Sequence, residues 1–508
     1  MTPRLRPRAR ETRRLRPQRS LEWALGAILA CQLMVVLDGT VIYTALPHIR
    51  TELGLSRASL SWVQNAYMLT FGGLLLLGAR TGDLIGHRRV FIVANGVFTV
   101  ASLAGGFAQS AGWLLAARAV QGAAGAFAAP AGLALLMLAF PQGAPRARAI
   151  RFYTAVSGIG SAVGLVLGGI LTELVSWRWV LFVNLPICIV LLIVGVRDLP
   201  RSRPAGGRLD IAGGLTITLA MSLMVYGFIH ASSTNPGPVI AATLAASAAL
   251  LCAFVFIEKR AAQPITPLAL FSSASRSGAY AARMLLIGGM LGTFFFLTQY
   301  VQEVVGFSPL QAGLSFVPLS LAQFLMVIYG GPWLTPRLGS LRLLVSGIAL
   351  ALAGMLCLSG AGIDTASMRG LFFPFVVLGL GTGAALVPLA TAGLAGVAPR
   401  DAGAAAGMMT VTHYIGGALG TALLVVIVNL ACHPPDVSGA SGISGRETRA
   451  ALADALTVSA IGSAAFFALA LLIVLTTMRR QYDEARNAPR PIKRRGQDNA
   501  SPQRRSIP

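Results

Sequence analysis

Residues 78–89 read Gly-Ala-Arg-Thr-Gly-Asp-Leu-Ile-Gly-His-Arg-Arg and form a short polar stretch between two long apolar segments. Its glycines allow two backbones to approach closely, and its arginines are typical of loops on the cytoplasmic side of a membrane. One acid supplies a fixed negative charge at a helix end. The stretch is either a plain basic loop or part of a moving mechanism. Its candidate functional residues are Gly78, Gly82, Asp83, Gly86, Arg88 and Arg89.

The composition identifies an integral membrane protein. Of the 508 residues, 55% are hydrophobic and 12% are charged, and the mean hydropathy is +0.70, which excludes a water-soluble globular domain of this size. A bilayer core about 30 Å thick needs roughly 20 apolar residues per helical span, and the chain offers fourteen such stretches without the alternation of a membrane barrel. The predicted spans are 22–46, 59–79, 90–109, 113–139, 149–172, 179–197, 211–231, 238–257, 280–302, 310–333, 341–361, 370–393, 403–431 and 455–478.

The net charge of +23 is concentrated in segments on one side of the membrane. When the N terminus is placed in the cytoplasm, most lysines and arginines fall in the tails and in the loops on the same side as the tails. This asymmetry predicts that both termini are cytoplasmic and that the number of spans is even. The opposite loops hold Arg50, Arg57, Arg178, Arg369, Arg446 and Arg449, while Arg118 and Arg283 lie within spans.

Two basic tails, residues 1–20 and 481–508, flank the membrane region. We expect them to be disordered cytoplasmic segments that lie against anionic lipid, with nucleic-acid binding as a distant alternative, so no nucleic-acid partner is predicted. The first apolar stretch is too long for a cleavable signal peptide and lacks a small-residue cleavage site. It is therefore interpreted as a retained first helix.

Several kinds of chemistry are excluded by the residues themselves. The only lysines, Lys259 and Lys493, do not follow the glycine pattern of a phosphate-binding loop, and neither a dinucleotide fold nor a hydrolase triad is apparent. The sequence therefore predicts no enzyme, no metal and no cofactor, and transport driven by a gradient or a partner. The cysteines are scattered without disulfide or metal-ligand spacing at Cys31, Cys188, Cys252, Cys357 and Cys432.

The polar stretch at 78–89 resembles the signature between helices 2 and 3 of the major facilitator superfamily. Further segments match, in register, the fourteen-span drug:proton antiporter family of that superfamily, so the resemblance covers nearly the whole chain apart from the tails. The matching segments are Leu-Asp-Gly-Thr-Val-Ile-Tyr-Thr-Ala-Leu-Pro at 37–47, Trp-Val-Gln-Asn-Ala-Tyr at 62–67, Ala-Arg-Ala-Val-Gln-Gly at 117–122, Trp-Arg-Trp-Val-Leu-Phe-Val-Asn-Leu-Pro at 177–186, Thr-Gln-Tyr at 298–300, Ser-Pro-Leu-Gln-Ala-Gly at 308–313 and Gly-Gly-Ala-Leu-Gly at 416–420.

The resemblance implies an all-α polytopic fold with two six-helix halves, at 21–200 and 276–480, and a linker with two inserted helices at 201–275. Such transporters bind substrate near the bilayer midplane between the halves and expose it to either side in turn. We predict a monomeric plasma-membrane exporter of a lipophilic drug, antibiotic or toxic metabolite, driven by protons. The alternatives are a metabolite importer or symporter of the same fold, and a non-transporting membrane receptor or scaffold.

Span 5 departs from the family pattern in one place. The family's antiporter motif has a Gly-Pro pair, whereas this chain has Leu165 in place of the proline. The small-residue face for close helix packing remains, but a kink that depends on proline is lost, which leaves the direction of transport open. The glycines expected to support close packing in spans 5 and 13 are Gly160, Gly164, Gly168, Gly169, Gly416, Gly417 and Gly420.

Two ionisable residues lie deep within the predicted spans. Asp38 is about eight residues from the outer end of span 1, and Arg118 is about six from the outer end of span 4, so both lie roughly 9–12 Å below the surface. Helices 1 and 4 line the cavity of the resembled fold, so we predict that the two side chains lie close together and that Asp38 is the leading protonation site. The opposite charge favours the ionised carboxylate, whereas burial favours the neutral form. A purely structural ion pair is the alternative.

Other polar residues are candidates for the substrate cavity, with helix–helix hydrogen bonding as the alternative role. Histidine in span 13 is a candidate for substrate choice or proton transfer, or an ordinary core histidine. Arg283 and Glu303 lie near span ends, where they can reach water. The predicted cavity residues are Asn65, Tyr67, Gln121, Gln299, Tyr300 and His413.

The resemblance also implies a position for Asp83. In the resembled fold the stretch at 78–89 docks against the second half, where the corresponding helix here begins near Ala402. A carboxylate that faces a helix N terminus is stabilised by about 0.3–1 kcal/mol at exposed sites. That energy is enough to bias a gate, so the prediction is a gating contact.

Overall fold

The structure is a computed structural model. It describes residues 18–200, 209–231, 238–261, 263–361, 368–398, 401–432 and 445–478. The predicted tails lie outside the described residues, except that the first helix already begins at Gln18.

Within the described residues, fourteen helical spans are long and apolar enough to cross a membrane, which confirms the predicted number. The first half contains α1 (Gln18–Leu53), α2 (Arg57–Ile85), α3 (His87–Gly106), α4 (Ala111–Ala139), α5 (Ala144–Leu174), α6 (Trp179–Phe182) and α7 (Asn184–Arg197). The inserted pair is α8 (Ile211–Ala231) and α9 (Pro238–Arg260). The second half contains α10 (Ala274–Glu303), α11 (Pro309–Ser315), α12 (Val317–Leu325), a π-helical segment (Met326–Gly330), α13 (Gly331–Leu338), α14 (Ser340–Leu358), α15 (Met368–Leu394), α16 (Ala402–Cys432) and α17 (Gly445–Thr477).

Two spans that the sequence predicted to be unbroken are interrupted. The sixth is divided into α6 and α7 at Val183, where Pro186 has no N–H to donate to the Phe182 carbonyl four residues earlier. The tenth is divided into α11, α12, the π segment and α13, and Pro318 and Pro332 stand in the first turns of α12 and α13. Proline therefore explains why these two spans are interrupted, although the hydropathy pattern alone indicates continuous helices.

The stretch at 78–89 is mostly helical and not the loop that the sequence predicted. Helix α2 ends at Ile85 and α3 begins at His87, so Gly86 alone makes the turn, with φ of 101°. Only glycine adopts this backbone conformation without strain, which accounts for its place in the motif.

Close packing between helices depends on glycine in both halves. A Cβ at Gly164 would lie 2.0 Å from Thr40 Oγ1, and one at Gly168 would lie 2.3 Å from the Val41 carbonyl oxygen, so α5 packs directly on α1. Gly160 faces the same helix, at Val36. The absence of side chains on this face lets the two backbones approach closely.

The inserted pair packs on the first half beside the polar stretch. Thr218 of α8 occupies the space in front of Gly73 of α2, and Trp62 and Tyr226 place their ring centroids 6.3 Å apart. Arg80 donates a hydrogen bond to Gln263, which follows α9. Helix α8 also contacts α16 of the second half, so the inserted pair lies along the junction between the halves.

Polar contacts join the two halves at one membrane face. We call the face that carries Gln18 and Thr477 the terminal face, and the opposite one, which carries Leu53, the distal face. At the distal face Arg50 of α1 and Glu303 of α10 form an ion pair of 3.1 Å. Glu303 therefore binds across the junction, in place of the predicted exposure to water.

A second distal contact joins α5 to α11. The Glu173 carboxylate accepts hydrogen bonds from Ser308 Oγ (2.5 Å) and from the Leu310 amide (2.9 Å). Gly169, on the side of α5 away from α1, faces the backbone of Pro309 and Leu310. The distal ends of the two halves are therefore held together in this conformation.

Candidate functional site

Asp38 lies at the centre of a buried hydrogen-bond network in the first half. Its Oδ2 accepts a 2.6 Å bond from Arg118 Nη1. Its Oδ1 accepts bonds from Asn184 Nδ2 at 2.8 Å and from Gln121 Nε2 at 3.3 Å. All four residues have no exposed surface. The structure thus brings together the two charged residues that the sequence predicted to be neighbours.

Arg118 is held in place by groups from two helices. Its Nε donates to the Val63 carbonyl of α2 at 3.1 Å, and its Nη1 also donates to Gln121 Oε1 at 3.2 Å. The guanidinium carbon lies 4.6 Å from the centre of the Tyr67 ring, within the range of a cation–π interaction. The position of Arg118 is therefore fixed independently of its ion pair with Asp38.

The network includes Asn184 and Ser102, which were not among the predicted site residues. Asn184 is the first residue of α7, directly after the interruption at Val183, and Ser102 of α3 accepts a 2.8 Å bond from Gln121. Asn184 falls within the motif at 177–186, which was the signal available for it. Ser102 has no such signal, because an isolated serine in a span is ordinary in membrane helices.

The predicted end of the first span, at residue 46, falls short of the end of the helix, although the predicted pairing agrees with the structure. Helix α1 continues through Pro47 to Leu53, so Asp38 lies fifteen residues from the helix end, or about 22 Å along it. A proline inside a membrane helix is tolerated when neighbours satisfy the freed carbonyl, and for this reason Pro47 did not mark the end of the span.

Several buried polar atoms around the network have no hydrogen-bond partner among the described residues. They are Tyr43 Oη, Gln64 Oε1, both side-chain atoms of Asn65, Arg118 Nη2 and Asn184 Oδ1. Buried polar atoms in proteins are nearly always satisfied by protein, water or a ligand. These atoms are the positions around Asp38 at which hydrogen-bonding capacity is unfilled.

The predicted cavity residues do not share one environment. Gln121 belongs to the buried network, and Tyr67 is buried with its hydroxyl 3.3 Å from the Val35 carbonyl. Gln299 donates to the Phe295 carbonyl of its own helix at 2.9 Å. Asn65, Gln299 and Tyr300 are buried, and of the six predicted residues only His413 is partly exposed.

Aromatic residues connect the Asp38 network to the second half. Tyr414 of α16 stacks on Phe71 of α2 with a centroid distance of 4.0 Å, and its ring lies 6.3 Å from that of Tyr67. His413 makes an edge-on contact with Tyr414 at 5.2 Å. A continuous series of rings therefore runs from Arg118 to His413.

A second polar cluster lies between α1 and α5. Tyr153 donates a 2.5 Å hydrogen bond to Gln32 Oε1, and Gln32 donates a 2.9 Å bond to Ser157. All three side chains are partly exposed although they lie well inside their helices. The sequence gives no signal that marks these three residues as functional, because none is ionised near neutral pH and none lies in a family motif.

The polar stretch at 78–89 makes its described contacts within the first half, apart from the hydrogen bond of Arg80 to Gln263. The Asp83 carboxylate, 47% exposed, lies 3.3 Å from His87 Nε2 and 3.7 Å from Arg80 Nη1. Arg88 donates hydrogen bonds to the carbonyls of Gly195 and Val196 at the end of α7, and Arg89 is exposed. The gating contact of Asp83 with the start of α16 stays a prediction.

The remaining glycines of this stretch are packing positions. A Cβ at Gly78 would lie 2.3 Å from the Ala126 carbonyl oxygen of α4, and one at Gly82 would lie 2.4 Å from the His87 ring. The first allows α2 and α4 to touch. The second makes room for the histidine that contacts Asp83.

Sequence comparison identifies the family. The model of the major facilitator superfamily matches residues 28–421. The puromycin resistance protein pur8 of Streptomyces alboniger is 41% identical over 406 residues, which cover 79% of this chain and 80% of that protein. The cephamycin export protein CmcT of Amycolatopsis lactamdurans is 41% identical over 407 residues, covering 79% and 84%.

Solved structures share the fold at low sequence identity. A bacterial homologue of the human lysosomal transporter Spinster, in an inward-facing and unoccupied conformation, has a TM-score of 0.65 and 17% identity and covers 92% of this chain and 99% of that one. An auto-inhibited peptide transporter of the POT family has a TM-score of 0.63 and 15% identity, with coverage of 96% and 99%.

The fold and the family match define a polytopic secondary transporter of the cell membrane, and not an enzyme. The chain belongs to the major facilitator superfamily.

Proposed function

We propose that the protein exports a lipophilic drug, antibiotic or toxic metabolite from the cytoplasm in exchange for protons. Two relatives whose names refer to puromycin resistance and cephamycin export support the class of substrate. The observation that carries proton coupling is the fully buried pair of Asp38 and Arg118. An ionisable residue inside a membrane span is costly, so its presence favours a role in the transport cycle. We expect the chain to act as a monomer without a cofactor.

Asp38 is the proposed proton carrier. When the carboxylate is ionised, it balances the Arg118 charge and accepts three hydrogen bonds. Protonation removes the negative charge and leaves Arg118 bound to Val63 and Gln121. Because these groups connect α1, α2 and α4, the protonation state of Asp38 changes the energy with which the three helices are held together. This coupling links proton binding to conformation.

The proposed cycle alternates the opening of the two faces. In this conformation the distal contacts, Arg50 with Glu303 and Glu173 with Ser308 and Leu310, join the halves. On the way to the terminal face, α2 and α16 meet at Leu76 and Gly407. Release of the distal contacts, accompanied by docking of the predicted gating residues at 78–89, would expose the substrate to the other side.

Flux measurements distinguish the proposal from its alternatives. Purified protein in liposomes, with puromycin as the first probe and an imposed pH gradient, is expected to move the probe against the direction of proton flow. Accumulation of the probe together with protons would assign a symporter. Binding without flux, under conditions in which a known transporter is active, would assign a receptor or scaffold and contradict the proposal.

Neutralising Glu173 is expected to favour opening at the distal face. In Glu173→Gln the carboxylate that accepts from Ser308 Oγ and the Leu310 amide is replaced by a neutral amide oxygen, which accepts weaker hydrogen bonds. The distal-open population should therefore rise. Double electron–electron resonance between spin labels on α5 and α11 measures the change, and Glu447→Gln, in the first turn of α17, is the control acid. An unchanged distance distribution would contradict a latch at Glu173.

A further inference from the structure

A second intramembrane arginine lies in the other half, where α10 and α16 cross. The crossing is very close, because a Cβ at Gly416 would lie 2.8 Å from Met284 Cα and one at Gly420 would lie 2.2 Å from Gly288 Cα. Arg283, next to Met284, donates from its Nε to the Met409 carbonyl of α16 at 3.1 Å. Met409 is one helical turn before His413, so this hydrogen bond places the Arg283 side chain against the part of α16 that carries His413.

Arg283 differs from Arg118 and Arg276 in that neither of its terminal nitrogens has a hydrogen-bond partner among the described residues. Among the described residues, no carboxylate forms an ion pair with Arg283, and its terminal nitrogens, Nη1 and Nη2, have no hydrogen-bond partner. Arg118 is paired with Asp38, and Arg276 donates to three backbone carbonyls. An arginine fork that is not filled by protein groups is suited to a carboxylate or phosphate.

The pair formed by Arg283 and His413 is inside the membrane region and near the junction of the halves. Arg283 lies nine residues from the start of α10, or about 14 Å along it, and His413 lies eleven residues from the start of α16, or about 17 Å. Both side chains are partly exposed, and the adjacent Tyr414 stacks on Phe71 of the first half. Arg283 lies farther from the helix end than the sequence predicted, because α10 begins at Ala274, six residues before the predicted span.

We propose that Arg283 and His413 form a subsite for the anionic group of a lipophilic substrate. This inference rests on the proposed function and specifies lipophilic acids as one class of its substrates. An anion that enters a low-dielectric space must be paired, and Arg283 supplies a fixed positive charge with two free nitrogens. The His413 ring provides a further hydrogen-bonding nitrogen beside it.

Binding of a matched pair of fluorescent probes tests the proposal. The protein in phosphatidylcholine nanodiscs is titrated with 1-pyrenebutyrate and with its neutral amide, without any pH gradient. The wild type should bind the anion about tenfold more tightly than the amide, the difference expected for one charge-assisted contact. Arg283→Gln should remove this preference and leave amide binding within about twofold. Arg283→Lys should keep most of the preference for the anion. The control variant is Arg337→Gln, at the exposed end of α13.

Three results would overturn the proposal. They are failure of the wild type to bind the anion, equal binding of anion and amide, and equal loss of both ligands in Arg283→Gln. Circular dichroism tests whether the variants are folded. If Arg283→Gln does not fold, the double variant Arg283→Lys with His413→Gln takes its place. This double variant should lose part of the preference for the anion over the amide.

A lipid headgroup is the other source of such an anion. Replacing part of the phosphatidylcholine with phosphatidylglycerol should leave pyrenebutyrate affinity unchanged, whereas displacement of the probe would assign the site to lipid and overturn its assignment to substrate. Because binding is measured without a gradient, the result is separate from proton-coupled export. If the protein transports its substrate but binds pyrenebutyrate and the amide equally, only the anion subsite is contradicted. If it prefers pyrenebutyrate but shows no flux, only the export mechanism is contradicted.

Discussion

Replacing Asp38 with Asn is expected to abolish proton-driven transport. Asn keeps the shape of the side chain but carries no proton that can be exchanged, and it leaves the Arg118 charge buried without its 2.6 Å partner. Removing one member of a buried ion pair typically costs 3–5 kcal/mol, so we also expect lower thermal stability (by about that amount). Transport in liposomes under an imposed pH gradient and thermal unfolding in the same detergent measure the two effects.

A double substitution separates proton coupling from a structural ion pair. In Asp38→Asn with Arg118→Gln the buried charge is removed from both partners, so most of the lost stability should return. If Asp38 carries the proton, transport stays absent although the protein is stable. Recovery of transport together with stability would show that the pair only holds helices together, which is the alternative that the sequence left open.

Replacing Gly420 with Ala is expected to disrupt the second half. The added Cβ would lie 2.2 Å from Gly288 Cα and 2.5 Å from the Gly288 carbonyl oxygen, and backbone atoms at a helix crossing cannot move aside independently. The helices must separate, which also displaces Arg283 from the Met409 carbonyl. The expected cost is about 3 kcal/mol, at the upper end of the usual range for overpacking.

Gly96→Ala in α3 is the matched control for Gly420→Ala. A Cβ at Gly96 meets no atom within 4 Å. The exchange should therefore stabilise the helix slightly, by about 0.5–1 kcal/mol, through the difference in helix propensity. Thermal unfolding of both variants, with monodispersity on size-exclusion chromatography, measures the contrast. Equal stability of the two variants would contradict the close crossing of α10 and α16.

Asp38 and Gly86 show how far the sequence leads towards the candidate site. An acid and an arginine at a similar depth in spans 1 and 4, together with the resemblance to a fold whose helices 1 and 4 line one cavity, predict a pair, because burying either charge alone is costly. A glycine between two apolar spans predicts a tight turn. The sequence does not show that Gln121 is enclosed with Asp38, because a glutamine in a span can face either a cavity or a neighbouring helix. That choice depends on the rotation of α4 against α1 and α7.

Arg283 shows which feature the sequence does not give. Its position near one end of an apolar run indicated the end of a span, because hydropathy does not distinguish the end of a helix from the end of its most apolar part. The helix extends to Ala274, and the crossing at Gly416 and Gly420 places Arg283 against α16. Neither fact can be obtained from the local pattern around Arg283.

The sequence by itself determines the class of protein, the fourteen spans and the segments that carry the family motifs, because the bilayer imposes span length and the cost of burying charge on each segment separately. The tertiary structure decided the single-residue turn at Gly86, the partners of Asp38 and the unpaired Arg283 beside His413. These features depend on the rotation and crossing of helices, which are set by contacts between residues far apart in the chain.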